Sequence, residues 1–260
     1  MSIGASKVPG DDLELFFAAT ADPGTYYASP LMVSAGADVA QQPFQIDHFK
    51  CYFPLEAGTV QPVTVLLKDQ FGSNPATVGK IFRFCNPAKK FHNGVITPIM
   101  NPDDHMTLHQ TGPQPLVTRQ VKIRNQFGDQ LLTTQDARIL AVPTQKDPHG
   151  PPKALNHFSC YAVANGPVLN VPIGLSDQFF PSRHQIMRPL LFCNPVEKTH
   201  NGVVTPITDP DDHLTCYTIT RVPFVKDVTL HNQFGDLLFR SSYTDLACVP
   251  TRKLGWRVID

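Results

Sequence analysis

The sequence predicts an all-β protein of two tandem homologous β-sandwich or barrel domains. Each domain would hold two pseudo-repeated three-stranded segments, with a disulfide inside the segment. Three observations lead there: proline is abundant throughout, the chain repeats itself, and the runs between repeated markers alternate apolar and polar residues. The 25 prolines among 260 residues chop the chain into short pieces. Proline lacks an amide donor and locks φ, so it is excluded from helix interiors and central strands.

The repeat is read by lining the chain up with itself. "HNGVITPIMNPDDHMTLH" (92–109) returns as "HNGVVTPITDPDDHLTCY" (200–217), "FCNPAKKFHNG" (84–94) as "FCNPVEKTHNG" (192–202), and "HFKCY" (48–52) as "HFSCY" (157–161). Two units follow, 47–147 and 156–254, joined by a Pro/Gly-containing linker at 148–155 and closed by a tail at 255–260.

Each unit repeats within itself. Four segments open with a histidine three residues before a marked position: His48/Cys51, His105/Leu108, His157/Cys160 and His213/Cys216. Each continues to Asp or Asn followed by Gln-Phe, at 69–71, 125–127, 177–179 and 232–234. Each closes on a second marked position and x-Pro-x-x-Lys, ending at Lys90, Lys146, Lys198 and Lys253. "VTRQVKIR" (117–124) puts Val117, Arg119, Val121 and Ile123 on one face, as a strand does. "NQFGD" reads as a tight turn with glycine at positive φ, and "HNG" as an Asn-Gly turn.

Three segments carry cysteine at both marked positions, and the second carries Leu108 and Ala141 instead. Paired loss is what a bond between the two positions predicts, since loss of one partner strands a thiol. The bridges expected are Cys51–Cys85, Cys160–Cys193 and Cys216–Cys248. Zinc is disfavoured, because no Cys-x-x-Cys pair exists. Each loop of this size contributes about 3–4 kcal/mol in the chain-entropy model. Disulfides point to an oxidising compartment, hence to an extracellular or cell-surface protein in its mature form. The start "MSIGASKVPGDDLELFF" has no signal-peptide pattern, and no apolar run is long enough to span a membrane.

Candidate sites are few. Asp209, Asp211 and Asp212 supply oxygen ligands of the kind calcium takes, without the EF-hand pattern, and the same residues serve as an Asp-rich turn. The four histidines and four lysines recur once per segment, which suits structural roles at a strand start and at the turn after the last strand. No Gly-x-Ser-x-Gly, His-Glu-x-x-His or phosphate-binding glycine loop is present, so no catalytic residue and no cofactor is assigned. Lys plus Arg and Asp plus Glu are equal at 22 each, which offers no reason to expect nucleic acid as partner.

The cadence H-F-x-C-Y … D-Q-F … F-C-N-P-x-x-K … H-L-T-C-Y … N-Q-F-G … C-V-P-T-x-K resembles a family of uncharacterised repeats in exported bacterial and archaeal proteins. The resemblance spans 47–254, is clearest in the second unit, and departs at Leu108, His109 and Ala141. It implies export and repetition and supplies no mechanism.

The function expected is a non-catalytic extracellular structural protein of a surface layer, matrix or filament. Residues 1–46 lie outside the repeat; "DLELFFAAT" and "YYASPLMVSA" have strand composition, which fits packing on the first unit or donation to a neighbouring copy. Two alternatives stand beside self-association. A module binding surface glycans or other ligands would show aromatics clustered on one face. An exported hydrolase would show a pocket with a non-repeated polar cluster, for which the non-repeated Trp256 and the tail "GWRVID" look too short.

Overall fold

The computed structural model describes residues 27–28 and 44–259. Among them there is no helix, and therefore none long and apolar enough to cross a membrane. A two-residue strand, β1 (Tyr27–Ala28), pairs with the end of the chain. The rest of 1–46 up to residue 43, with the strand-donation reading placed on it, lies outside the described residues.

The expected three strands per segment are present. The first segment holds β2 (His48–Ala57), β3 (Val63–Asp69) and β4 (Gly72–His92), followed by the short β5 (Val95–Thr97). The second holds β6 (His105–Thr111), β7 (Arg119–Asn125) and β8 (Gly128–Lys146). The third holds β9 (Phe158–Asn165), β10 (Val171–Ser176) and β11 (Pro181–Pro195), then β12 (Glu197–His200) and β13 (Val203–Thr205). The fourth holds β14 (His213–Pro223), β15 (Asp227–Asn232) and β16 (Gly235–Val258), so the tail continues the last strand.

The two tandem units share one sheet. The first and last strands of the four segments pair antiparallel in the order β2–β4–β6–β8–β9–β11–β14–β16, and β16 pairs back to β2. The ring is therefore closed, and its interior is packed by inward-facing side chains, as in other small barrels. At its centre the three disulfides, Cys51–Cys85, Cys160–Cys193 and Cys216–Cys248, share one core cluster with Leu108 and Ala141. Leu108 and Ala141 are register partners on β6 and β8, as each cysteine pair is on its own two strands. Phe49, Met106, Phe158 and Leu214, two residues before the first marked positions, fill the same interior, because strand side chains on one face recur every second residue.

The middle strand of each segment forms a hairpin with the start of the following strand, and these hairpins cover the outside of the ring. The free edge of each hairpin pairs with the strand end of the opposite segment. Thus β10 joins β4, β15 joins β8, β7 joins β16, and β3 joins β12. Strands such as β2 are buried on both faces for this reason: Cys51 points into the ring, while Lys50 and Tyr52 lie under a hairpin. Both turn expectations hold. Gly128 and Gly235 have φ of 89° and 116°, and the Asn-Gly pairs 93–94 and 201–202 have positive φ at both residues, the signature of a two-residue hairpin turn.

Candidate functional site

The Asp/Asn-Gln-Phe turns organise the polar interior. In each, the Asp or Asn Oδ1 accepts the amide two residues on: Phe71 N at 2.7 Å, Phe127 N at 2.9 Å, Phe179 N at 3.1 Å and Phe234 N at 2.8 Å. This local bond is the usual Asx-turn. The rest of each turn reaches other segments.

The Asp or Asn contacts the opposite segment. Tyr161 Oη and Asn194 Nδ2 donate to Asp69 Oδ2 at 2.8 and 3.2 Å, and Tyr52 Oη and Asn86 Nδ2 donate to Asp177 Oδ2 at 2.7 and 3.0 Å. Asn125 Nδ2 donates to Tyr217 Oη at 2.8 Å, and Asn232 Nδ2 reaches His109 Nε2 at 3.5 Å. His109 thus stands where the other segments have tyrosine. The ring contact survives too: the turn phenylalanine meets Tyr161, Tyr52, Tyr217 or His109 with centroids 4.8, 5.1, 5.3 and 5.2 Å apart.

The Gln contacts the preceding segment. Gln126 Oε1 accepts from His48 Nε2 at 2.8 Å and from Lys90 Nζ. Gln178 Oε1 accepts from His105 Nε2 at 3.0 Å and from Lys146 Nζ. Gln233 bonds His157 and Lys198. These three histidines bond to a turn, and that turn belongs to the next segment. The lysines brace that same turn and not the one following their own strand, because the hairpins cross the ring. Burial pushes His48 and His105 down to about 4 and His157 to about 3, so all three are neutral near pH 7.

The fourth joint differs. Gln70 Nε2 meets Pro210 O at 3.5 Å, Lys253 Nζ turns to Asn194 Oδ1 at 2.9 Å, and His213 Nε2 is buried without a partner. Burial brings Lys253 down to about 7.

The carboxylates considered for calcium shape the loop before β14. Asp209 Oδ1 accepts Asp211 N at 2.9 Å, Asp211 O faces His213 Nδ1 at 2.9 Å, and Asp212 Oδ2 accepts Asn156 Nδ2 at 3.4 Å. Burial, with Asp209 nearby, raises Asp212 to about 7. Among the described residues no three His, Cys, Asp or Glu side chains form a group that could hold a metal ion.

Asp177 and Asp69 occupy matching places with different surroundings. Asp177 lies 3.6 Å from Lys50 Nζ, and the site is closed by packed phenylalanines. Asp69 opens onto a pocket of about 330 Å³, whose walls include Phe71, Arg119, Ser159 and Tyr161. Trp256 packs on Phe71 with centroids 4.7 Å apart, and Arg119 Cζ lies 4.8 Å from the Phe71 ring and 6.0 Å from the Trp256 ring. The tail, which looked too short to matter in the sequence, thus contributes an aromatic to the wall behind this pocket. The signals that could have marked it are the contrast between the two copies, where Lys50 and Phe180 break the repeat and Ser159 and Gly72 keep it, and a lone tryptophan.

Fold and joints together define a closed β-barrel of repeated segments, stapled inside and laced across the ring by its turns. The chain belongs to the family described as Repeat of unknown function (DUF7450), whose model matches twice, over residues 19–117 and 108–250. The first match begins at residue 19, within the N-terminal segment that lies outside the internal repeat. No match was found among curated proteins or among solved structures.

Proposed function

We propose that the protein is a non-catalytic, exported structural component of a surface layer, matrix or filament, and that it self-associates. Three buried cystines support export, since such bonds form and persist in oxidising compartments. The repeated histidines, lysines and glutamines of three joints are used in holding the ring together, which fits a scaffold.

The observation that carries self-association is a duplicated apolar edge. The hairpin β4–β5 shows Val95 and Ile96 at 63% and 61% exposure, and the hairpin β12–β13 shows Val203 and Val204 at 68% and 53%. Among the described residues β5 pairs only with β4, and β13 only with β12. An apolar strand with one free ladder is a template for another chain. A monomer carrying two such edges is bivalent, so copies can extend into chains.

Light scattering and negative-stain microscopy over a range of concentrations test this. Wild type is expected to form concentration-dependent oligomers, Val95→Lys with Ile96→Lys to stop at dimers, and lysines at all four positions to give monomers. A wild type that stays monomeric throughout would refute the proposal.

A further inference from the structure

The neighbourhoods of Asp177 and Asp69 come from the same repeat, and one is filled where the other is open. Around Asp177, Lys50 Nζ donates to Phe180 O at 2.8 Å and lies 3.5 Å from the Phe180 ring centroid. Phe180 stacks on Phe224 with centroids 4.4 Å apart. Around Asp69 the residues at the matching places are Ser159 for Lys50, Gly72 for Phe180 and, counting back from the Asn of the turn, Val117 for Phe224. All three line the pocket of about 330 Å³, within the range of small-molecule sites. Relative to the Asp177 neighbourhood, the Lys50 ammonium and two phenyl rings are missing, while Lys253 remains charge-coupled to Asp69 as Lys146 is to Asp177.

The polar groups left there are incompletely used. Asp177 Oδ1 accepts from Phe179 N and Phe180 N at 3.1 and 3.2 Å, with the Lys50 ammonium beside it. Asp69 Oδ1 receives Phe71 N alone among the hydrogen bonds of the described residues. Arg119, whose counterpart Lys226 is exposed, is buried over Phe71 and Tyr161. Its Nη atoms donate to Val117 O and Phe71 O, its Nε has no partner, and it makes no carboxylate pair among the described residues. The pocket thus offers a carboxylate with spare acceptor capacity, a guanidinium with spare donors, and apolar space shaped for a ring.

We propose that this pocket binds a free aromatic amino acid, with its ammonium on Asp69, its ring in the space that Phe180 and Phe224 fill in the other copy, and its carboxylate on Arg119. The proposal does not rest on self-association. Arg119 and the unrepeated Trp256 converge at this one point, beside Gly72 and Ser159, which keep the small residues usual in the repeat (Gly128 and Gly235, Thr107 and Thr215), whereas Lys50 and Phe180 depart from it.

Trp256 is the sole tryptophan, so its fluorescence reports on the pocket. Phenylalanine, which does not absorb at tryptophan wavelengths, is titrated into the oxidised full chain, with phenethylamine and 3-phenylpropionate as analogues lacking the carboxylate or the ammonium. The expected result is a saturable change with phenylalanine and at least about tenfold weaker binding of each analogue, the loss of one charged hydrogen bond. Ser159→Lys with Val117→Phe rebuilds the filled arrangement and should abolish the response; Gly72 is left alone because its φ of 144° disfavours a side chain. Arg119→Gln should erase the preference for phenylalanine over phenethylamine, which keeps the test open if the double variant does not fold. No saturable response at about 10 mM, equal binding of either analogue to wild type, or undiminished binding by a folded double variant would overturn the proposal.

Discussion

Two of the differences between the copies of the repeat bear on the interior, and only at one of them is the packing kept. In the first copy Leu108, Ala141 and His109 replace Cys216, Cys248 and Tyr217. Leu108 and Ala141 still face each other inside the ring, and His109 still meets the opposite turn through Asn232 and Phe234. The replacement keeps the packing and forgoes the bond. At Asp69 the space is open: Ser159, Gly72 and Val117 are all smaller than Lys50, Phe180 and Phe224, and they line a pocket. Arg119 and Lys253 supply positive charge near Asp69 from other strands. A repeat that drifts while keeping its contacts is maintaining a scaffold. At Asp69 the open space keeps the small residues usual in the repeat, and Arg119 is buried beside it where its counterpart Lys226 is exposed.

The comparison is most exposed at the buried lysine. Lys50→Ala strands the Asp177 carboxylate and opens a cavity, and should cost about 3–5 kcal/mol in urea unfolding. Ser159→Ala, at the matching position, should cost less than about 1 kcal/mol. Equal losses would mean that the two neighbourhoods are energetically alike.

The compensated difference can be reversed. Leu108→Cys with Ala141→Cys places thiols at register partners, as in the other three segments, and should close a fourth bridge worth about 2–4 kcal/mol. Non-reducing peptide mapping reads the bond, and the unfolding midpoint reads its effect.

The joints allow a smaller contrast. Gln126→Ala removes the shared acceptor of His48 and Lys90 and should cost about 1–3 kcal/mol. Gln70→Ala at the fourth joint, where Lys253 has turned to Asn194, should stay within about 0.5 kcal/mol.

The last effect is graded by pH. His157 is held neutral, with its folded value lowered from 6.5 to about 3. Its contribution is complete above pH 6.5 and is lost as pH falls towards 3, because the unfolded chain takes the proton first. His157→Gln has no such loss. Wild type should therefore lose stability relative to the variant between pH 6.5 and 4, by at most about 1.4 kcal/mol per pH unit. Asp212, raised to about 7, acts in the opposite direction but is common to both proteins and cancels. A gap that is independent of pH would count against burial of a neutral imidazole.

Much of the fold was legible because it is local. Period-two alternation in "VTRQVKIR" and the Asn-Gly dipeptides report on strands and turns within a few residues. Proline density spoke against helices, but the short pieces expected from it are not found, since Pro87, Pro143 and Pro250 lie inside strands of 21, 19 and 24 residues. The disulfides were legible at longer range only because Leu108 and Ala141 had changed together. The closing of the ring was not legible, since nothing in "HFKCY" says that β2 pairs with β16 almost two hundred residues later as well as with β4. For the same reason each histidine and lysine could be placed at a strand end without revealing that its glutamine comes from the next segment. The pocket was hidden by the same limit: Gly72, the pair Val117 and Arg119, Ser159 and Trp256 are far apart in sequence and meet only through the crossing hairpins.

The central claim is that both copies form one closed, cross-laced ring, and equilibrium unfolding of the oxidised full chain tests it most directly. Trp256 fluorescence reports on the packing of the tail against the first copy, and far-UV circular dichroism on all strands. A single closed ring predicts that the two signals trace one coincident transition. Two separated transitions, one for each copy, would contradict it.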